Sequence, residues 1–353
     1  MTTGATYRAL QLRRHAQTLR EAADIIDLPW REPGPGEIAV RNEWCGVNGI
    51  FDTQIARNAV DYVRVKLPAL MGVEAIGTVQ AVGAGVTHVA VGDAVATVRF
   101  GGGYREGNVG PASDFVVVPS PKREWLALAS TGVSALLALE HVGQLQEGET
   151  VAISAAAGGL GHLLVQLAKL RGCRVVAICG GAVKGDFVRS LGADHVIDYR
   201  RESVAEVLRA EFRDAIDVAV DTVSGDIFDA MLDNLAPHGR LVAGGAAQDL
   251  NGQPEIVTGP RVVHKLYYKA ASVRGFMNGM LTPLWPEARA RLFDLFSAGR
   301  LKVVFDESAF EGVGQVCDAA EHLLSGRSMG KVVVRLQASP GASFTPPFER
   351  STR

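Results

Sequence analysis

The sequence is poor in the residues that would tie it to a metal or to a disulfide framework. Its 353 residues include four cysteines, Cys45, Cys173, Cys179 and Cys317. No two of them form a CxxC pair, so their spacing supports neither a zinc ribbon nor a set of disulfides. Four isolated thiols in a chain of this length fit a reducing compartment. The eight histidines form no HxxH or HxxxH pair, and each reads as a surface or satisfied core residue. Charge of one sign is also lacking: the formal net charge is −2, which gives no electrostatic case for nucleic acid. No apolar run approaches the roughly 20 residues of a membrane span. The opening stretch, MTTGATYRALQLRR, lacks the apolar core of a signal peptide, and Ser351-Thr352-Arg353 is not a peroxisomal address. The expected location is the cytoplasm, with no membrane partner.

What is present is glycine and alternation. Forty glycines and 47% hydrophobic residues suit tight turns between apolar runs, and the length suggests two domains. Residues 7 to about 123 read as short strands, among them Glu37–Asn42, Gly77–Val82, Asp93–Val98 and Asp114–Val118. Pro33-Gly34-Pro35-Gly36 and Val91-Gly92-Asp93 separate them. The pattern predicts a Gly-rich, mostly antiparallel β domain. From about 124 the rhythm changes to helix at Thr131–Val142 and Leu163–Arg171, alternating with buried strands at Val151–Ser154, Arg174–Cys179, Val218–Asp221 and Arg240–Ala243. Helices near 183–191, 203–212 and 225–235 and a sixth strand at Ser272–Phe276 complete an α/β, doubly wound parallel sheet. Two helices near 286–298 and 312–324 and a strand, Lys331–Leu336, follow. The domains are therefore expected at 1–123 with 281–353, and at 124–280. The tail, 338–353, rich in Pro and Ser, reads as disordered.

The most informative motif is Val151-Ala-Ile-Ser-Ala-Ala-Ala-Gly-Gly-Leu-Gly161. A buried strand enters a small-residue turn and an amphipathic helix follows. Ala155, Gly158, Gly159, Leu160 and Gly161 would let backbone approach a pyrophosphate, and the helix start offers N–H groups to the phosphates. An NAD site usually carries Asp or Glu at the end of the second strand, for the ribose 2′-OH. Here that strand ends Cys179-Gly180-Gly181, without a carboxylate. Lys184 follows, either as a solvated helix lysine or as the partner of a 2′-phosphate.

Along residues 7 to 336 the sequence resembles the medium-chain dehydrogenase/reductase superfamily, most of all its zinc-free quinone reductase and prostaglandin reductase branch. The resemblance rests on Gly46-Val47-Asn48, Gly72-Val73-Glu74, Thr131-Gly132-Val133-Ser134-Ala135, Ala155–Gly161, Leu191-Gly192-Ala193-Asp194, Ser272–Phe276 and Gly330-Lys331. It implies a GroES-like catalytic domain and a Rossmann domain that binds NADPH. In it Lys184 would pair with the 2′-phosphate and Tyr199 would meet the same end. Gly180 falls where relatives often carry a Ser. Thr222 and Gly244 would lie near the ribose and nicotinamide, and Phe276, Met277 and Asn278 would line the nicotinamide amide. Ser328 stands where relatives often carry an Asn that touches the cofactor. The resemblance also implies a homodimer.

In the zinc-dependent members the first ligand, a Cys, falls at Asn48, the His at Val73 and a later Cys at Thr131. None of these three side chains supplies the thiolate or imidazole that zinc prefers. The structural-zinc lobe is also missing, since residues 99–113 hold no cysteine. Without a Lewis acid, hydride transfer to a conjugated C=C is the milder demand, with hydrogen-bond donors stabilising the enolate. Asn48 is the first candidate donor, followed by Tyr62 and Tyr268. The expected activity is NADPH-dependent reduction of an α,β-unsaturated carbonyl, such as an enone or a 15-oxo-prostaglandin. The alternatives are an NADPH:quinone oxidoreductase, a trans-acting enoyl thioester reductase and a non-enzymatic nucleotide-binding protein. Loops at 56–68, 101–112 and 249–270 are expected to shape the pocket.

Overall fold

A computed structural model describes residues 2–59, 64–249, 256–258 and 261–336. Tyr62 and the tail from Ala338 lie outside these described residues, as do parts of the loops at 56–68 and 249–270. The chain divides into two compact units, Met1–Ser130 with Asp306–Arg353, and Thr131–Phe305.

In the second unit the described residues form a six-stranded parallel sheet. Its order is His195–Asp198, Arg174–Cys179, Thr150–Ile153, Ile216–Asp221, Leu235–Ala243, Ser272–Gly275. The central strands are apolar on both faces, as Val151, Ala152, Ile153, Val175, Val176, Ala177 and Ile178 are all fully buried. Helices covering both sides of a parallel sheet demand that pattern. Strand order reverses beside Thr150–Ile153, the position at which open α/β sheets bind ligands beyond their carboxyl ends. His195–Asp198 is too short to stand out in the sequence.

The unit boundaries correct the sequence expectation, which gave 281–305 to the first unit and 124–130 to the second. Residues 281–305 belong to the second unit because they are fastened to its helix Gly161–Leu170. Gln166 donates to Lys302 O and accepts from Lys302 N, both at 2.9 Å, and Val304 N donates to His162 Nε2 at 3.1 Å. Leu292 of helix Trp285–Ser297 is fully buried, and Arg291 of that helix pairs with Glu140. Amphipathic periodicity tells that a helix packs on something, not which sheet it packs on.

In the first unit Thr2–Leu12 pairs antiparallel with Ala23–Arg31. Glu37–Gly46 pairs antiparallel with Glu74–Val82, Gly107–Pro111 and the late strand Val333–Arg335. The last pairing brings the C-terminal segment onto the strand that leads to Asn48. Helix Gly49–Ala56 follows that strand, and helix Val316–Leu324 packs against it. Leu10, Leu12, Cys45, Val47, Ile55, Met71 and Val334 form the core beneath.

The expectation that no stretch reaches membrane length needs one correction. The helical run Arg123–Val142 is long and apolar enough by composition, with 67% of the window buried. Burial accounts for its apolar character: Leu126, Leu128, Ala129, Ala135, Ala138 and Leu139 are almost fully enclosed.

Candidate functional site

The second unit builds its candidate site from backbone. Strand Thr150–Ile153 ends at Ser154, whose hydroxyl accepts from Thr222 N at 2.9 Å and so ties the first and fourth strands together. Ala155 takes a left-handed turn, φ 46°, and Gly158 N donates back to its carbonyl at 2.9 Å. A Cβ on Gly161 would lie 2.3 Å from Ala155 O and 2.6 Å from Ala156 Cα, whereas one on Gly158 would meet only Ala155 O, at 3.2 Å. Gly161 therefore sets how closely the helix approaches the strand, and Gly158 keeps the turn bare. Gly159 and Leu160 lead into a helix start with no side-chain cap. Uncapped N–H groups at a helix N-terminus suit an anionic ligand. His162 is a satisfied core histidine: Nδ1 bonds Gly158 O at 3.0 Å and Nε2 accepts from Val304 N.

At the end of the second strand a Cβ on Gly180 would lie 2.6 Å from Tyr199 Cζ and 2.9 Å from Arg200 Nε. The Tyr199 ring and the Arg200 guanidinium thus cover Gly180, and a side chain there would push them aside. Gly181 N donates to Asp198 Oδ1 at 2.7 Å, and Arg200 N to the same oxygen at 3.1 Å. The Gly181 bond and then the Arg200 bond hold that carboxyl below its ordinary value. Lys184 lies close enough for its charge to oppose the upward push that burial gives Cys179. Tyr199 and Arg200 therefore cluster at Gly180, and Lys184 stands in the helix Ala182–Ser190 that begins two residues later. Sequence reasoning found Lys184 and Tyr199 and missed Arg200, whose only signal was its place after Tyr199 in a loop beyond an unrecognised strand.

Thr222, Gly244 and Phe276 come together at the ends of the fourth, fifth and sixth strands. A Cβ on Gly244 would be 3.6 Å from Thr222 Cγ2 and 3.8 Å from Phe276 Cδ1. Phe276 N donates to Ala243 O at 2.9 Å, and Gly244 N to Asp221 O at 2.7 Å. Met277 is partly exposed, and Asn278 Oδ1 accepts from Trp285 Nε1 at 2.9 Å. Tyr268 is not brought to this group: it is 78% exposed, with its ring stacked on His264.

The first unit builds its candidate site from side chains. Asn48 Nδ2 donates to Glu74 Oε1 at 3.0 Å, and Asn48 Oδ1 accepts from Lys331 Nζ at 3.1 Å. Lys331 Nζ lies 2.5 Å from Glu74 Oε1 and donates to Val47 O at 3.2 Å. Next to this set, Tyr104 donates to Asp52 Oδ2, and Asp52 N donates to Asn48 O at 3.0 Å. Asp52, Glu74, Tyr104 and Lys331 are buried; Asn48 is the half-exposed member. Burial pushes Asp52 up to about 7, against the hydrogen bonds from Tyr104 and the Asn48 backbone. Burial likewise raises Cys45, a small enclosed thiol. The motif glycines make this packing possible. A Cβ on Gly46 would lie 2.2 Å from Glu74 Oε1, and one on Gly72, at φ +84°, would lie 2.5 Å from Tyr104 N. Sequence reasoning named Asn48 and missed Asp52, Glu74, Tyr104 and Lys331 as site residues. Glu74 and Lys331 were visible as Gly72-Val73-Glu74 and Gly330-Lys331, but no spacing said that the two meet. Ser328 sits half-buried in the loop before Lys331, next to Met329, whose N donates to Asp306 Oδ2 at 2.8 Å. Among the described residues no group of three His, Cys, Asp or Glu is arranged to hold a metal ion.

Two families match along the chain: the alcohol dehydrogenase GroES-like domain over residues 34–122 and the zinc-binding dehydrogenase over 159–297. The chain is 35% identical to mouse prostaglandin reductase-3 over 342 residues, 94% of this chain and 90% of that protein. It is 33% identical to a probable quinone oxidoreductase of Leishmania amazonensis over 344 residues, 96% of this chain and all of that one. Its fold overlays Escherichia coli quinone oxidoreductase complexed with NADPH with a TM-score of 0.80, at 27% identity, covering 93% of this chain and 99% of the other. The chain belongs to the medium-chain dehydrogenase/reductase superfamily, in its quinone oxidoreductase and prostaglandin reductase branch.

Proposed function

We propose that the protein is an NADPH-dependent reductase of α,β-unsaturated carbonyl compounds. The observation that carries this reading is Asn48. Its amide replaces a metal ligand of the zinc-dependent members, and one N–H of its Nδ2 is used by Glu74 while the other has no protein partner among the described residues. A hydrogen-bond donor with no metal suits an oxygen on which negative charge develops.

The second unit's residues fit NADPH. Gly161 admits the close helix, Tyr199 and Arg200 lie over Gly180, and Lys184 and Arg200 supply positive charge for a 2′-phosphate. Bound NADPH would supply a hydride. An unsaturated carbonyl held at Asn48 would set its oxygen against Nδ2, which would stabilise the negative charge that reduction of the conjugated C=C builds there, and solvent would protonate the α-carbon. Phe51 and Phe100, edge to face at 6.3 Å, offer apolar surface to the rest of such a substrate. A quinone carbonyl would accept the same hydrogen bond, and the quinone oxidoreductase relatives favour it as a second acceptor. We read the protein as cytoplasmic, on its four free cysteines, and as a homodimer, since Ser272–Gly275 is the outer strand of its sheet and carries partly exposed Val273. Light scattering on the purified chain tests that assembly.

The test of the activity is turnover of NADPH deuterated at C4 with one enone and one quinone. A saturated ketone with deuterium on the β-carbon is the expected product. Oxidation of NADPH by the quinone alone would replace the enone reading with the second one.

A further inference from the structure

The Lys331–Glu74 pair is an ion pair with both side chains almost fully buried. Taking two charges out of water costs several kcal/mol each and is seldom repaid by their attraction alone. The three N–H groups of Lys331 Nζ have three acceptors: Val47 O, Asn48 Oδ1 and Glu74 Oε1. No N–H of the ammonium is left over for a substrate. Glu74 uses Oε1 for both Lys331 and Asn48, and its Oε2 is buried without a partner. Both polar atoms of the Asn48 amide are therefore set by one ion pair. The ammonium requires Oδ1 and the carboxylate requires Nδ2. Turning the amide over would place NH2 against ammonium and carbonyl against carboxylate.

We propose that Lys331 and Glu74 are positioning residues that lock the Asn48 amide with its second Nδ2–H directed outward as the donor to the substrate oxygen. The inference rests on Asn48 being that donor. It also gives Gly46 a role, because any side chain there would displace the Glu74 carboxylate. Asn48 is the half-exposed end of an otherwise buried set, so the pair acts through it and not by contact with substrate. A preorganised donor does not need to reorient as charge develops, so the lock should raise kcat and leave substrate affinity nearly unaltered.

The test is a cycle on the full chain: wild type, Asn48→Ala, the double variant Lys331→Met/Glu74→Gln, and the triple variant. The double change removes both charges together, so that neither is left buried alone. The readouts are kcat and KM for one enone, NADPH affinity by fluorescence, and Tm. Asn48→Ala and the double variant should each lower kcat on the order of tenfold, as loss of an orienting group commonly does. KM and NADPH affinity should change little, and the triple variant should be no slower than Asn48→Ala. Losses that multiply in the triple variant overturn the positioning role. A double variant as fast as wild type, beside a slow Asn48→Ala, overturns the lock and leaves the donor reading standing. An unchanged kcat in Asn48→Ala overturns the donor reading and the lock with it. If the double variant does not fold, Lys331→Leu/Glu74→Gln, which also removes both charges together, enters the same cycle with the same outcomes.

Discussion

The two units build their candidate sites in opposite ways. The second unit works with main chain: the turn from Ala155 to Gly161, the bare Gly180 and the strand ends at Thr222, Gly244 and Phe276. Its requirement is the absence of side chains, and its sheet is buried and apolar. The first unit works with side chains gathered from remote positions, Asn48, Asp52, Glu74, Tyr104 and Lys331, of which four are buried. The first design is sensitive to added atoms and the second to removed or altered charge. That contrast yields three measurements.

The largest effect is expected in the second unit from one methyl group. Gly161→Ala places a Cβ 2.3 Å from Ala155 O and 2.6 Å from Ala156 Cα, both main-chain atoms that cannot swing aside. Helix and strand must separate. The expected destabilisation is about 3 kcal/mol, with NADPH binding lost. Gly158→Ala, whose Cβ meets only Ala155 O at 3.2 Å, should keep the fold. Urea denaturation and NADPH titration of the two variants decide it. Equal losses would mean that close packing of the helix is not what separates the two glycines.

A smaller and more selective effect is expected from the cations at Gly180. Removing a charged partner of a phosphate costs roughly 1.5–3 kcal/mol, or about 10- to 100-fold in affinity. Lys184→Ala and Arg200→Ala should therefore weaken NADPH and hardly touch NADH, which lacks the 2′-phosphate. Calorimetric titration with both cofactors checks this. A variant that weakens both equally acts on the fold of the loop and not on the phosphate.

The same contrast explains what could be read from the sequence. The second unit was legible because its strands are continuous apolar runs and its site is a local string, 155–161, with a fixed order of turn and helix. Where it was not legible, the strand was short, as at His195–Asp198, or the helix had no mark of its sheet, as at Trp285–Ser297. That helix was assigned to the other unit, although Gln166 and His162 hold the segment after it. In the first unit Asn48 was legible because it stands at a ligand position of related enzymes. Lys331 reaches it only because Val333–Arg335 pairs with the strand ending at Gly46, and such long-range pairing leaves no local signature. Asp52, four residues after Asn48, was noticed only as an acid whose spacing from Asn48 departs from that of relatives, and Tyr104, remote in sequence, was out of reach. The distance between Asp52 and Tyr104 in sequence is closed by packing of Tyr104 against Gly72, and Tyr268, an aromatic chosen instead, is a surface residue.

The smallest expected effect concerns that hidden carboxyl and depends on pH. Asp52 is fully buried, with Oδ1 lacking a partner, and burial raises it from an ordinary 3.8 to about 7. Tyr104, the Asn48 backbone and the Lys331 charge oppose that rise, and Glu74 adds to it. The folded protein therefore binds this proton more tightly than the unfolded chain does. Its contribution to stability is fully present below about pH 4, declines as pH rises, and is gone once pH passes about 7. Asp52→Asn keeps an oxygen for the Tyr104 hydroxyl and cannot ionise. Relative to wild type it should gain stability at pH 8, on the order of 1–2 kcal/mol, and gain little at pH 5. Other titrating groups act equally in both proteins and cancel in the difference. Urea midpoints of the two proteins at pH 5 and pH 8 measure it. A difference of the same size at both values would mean that Asp52 ionises freely in the folded protein, and that the first unit does not store the cost of a buried charge beside Asn48.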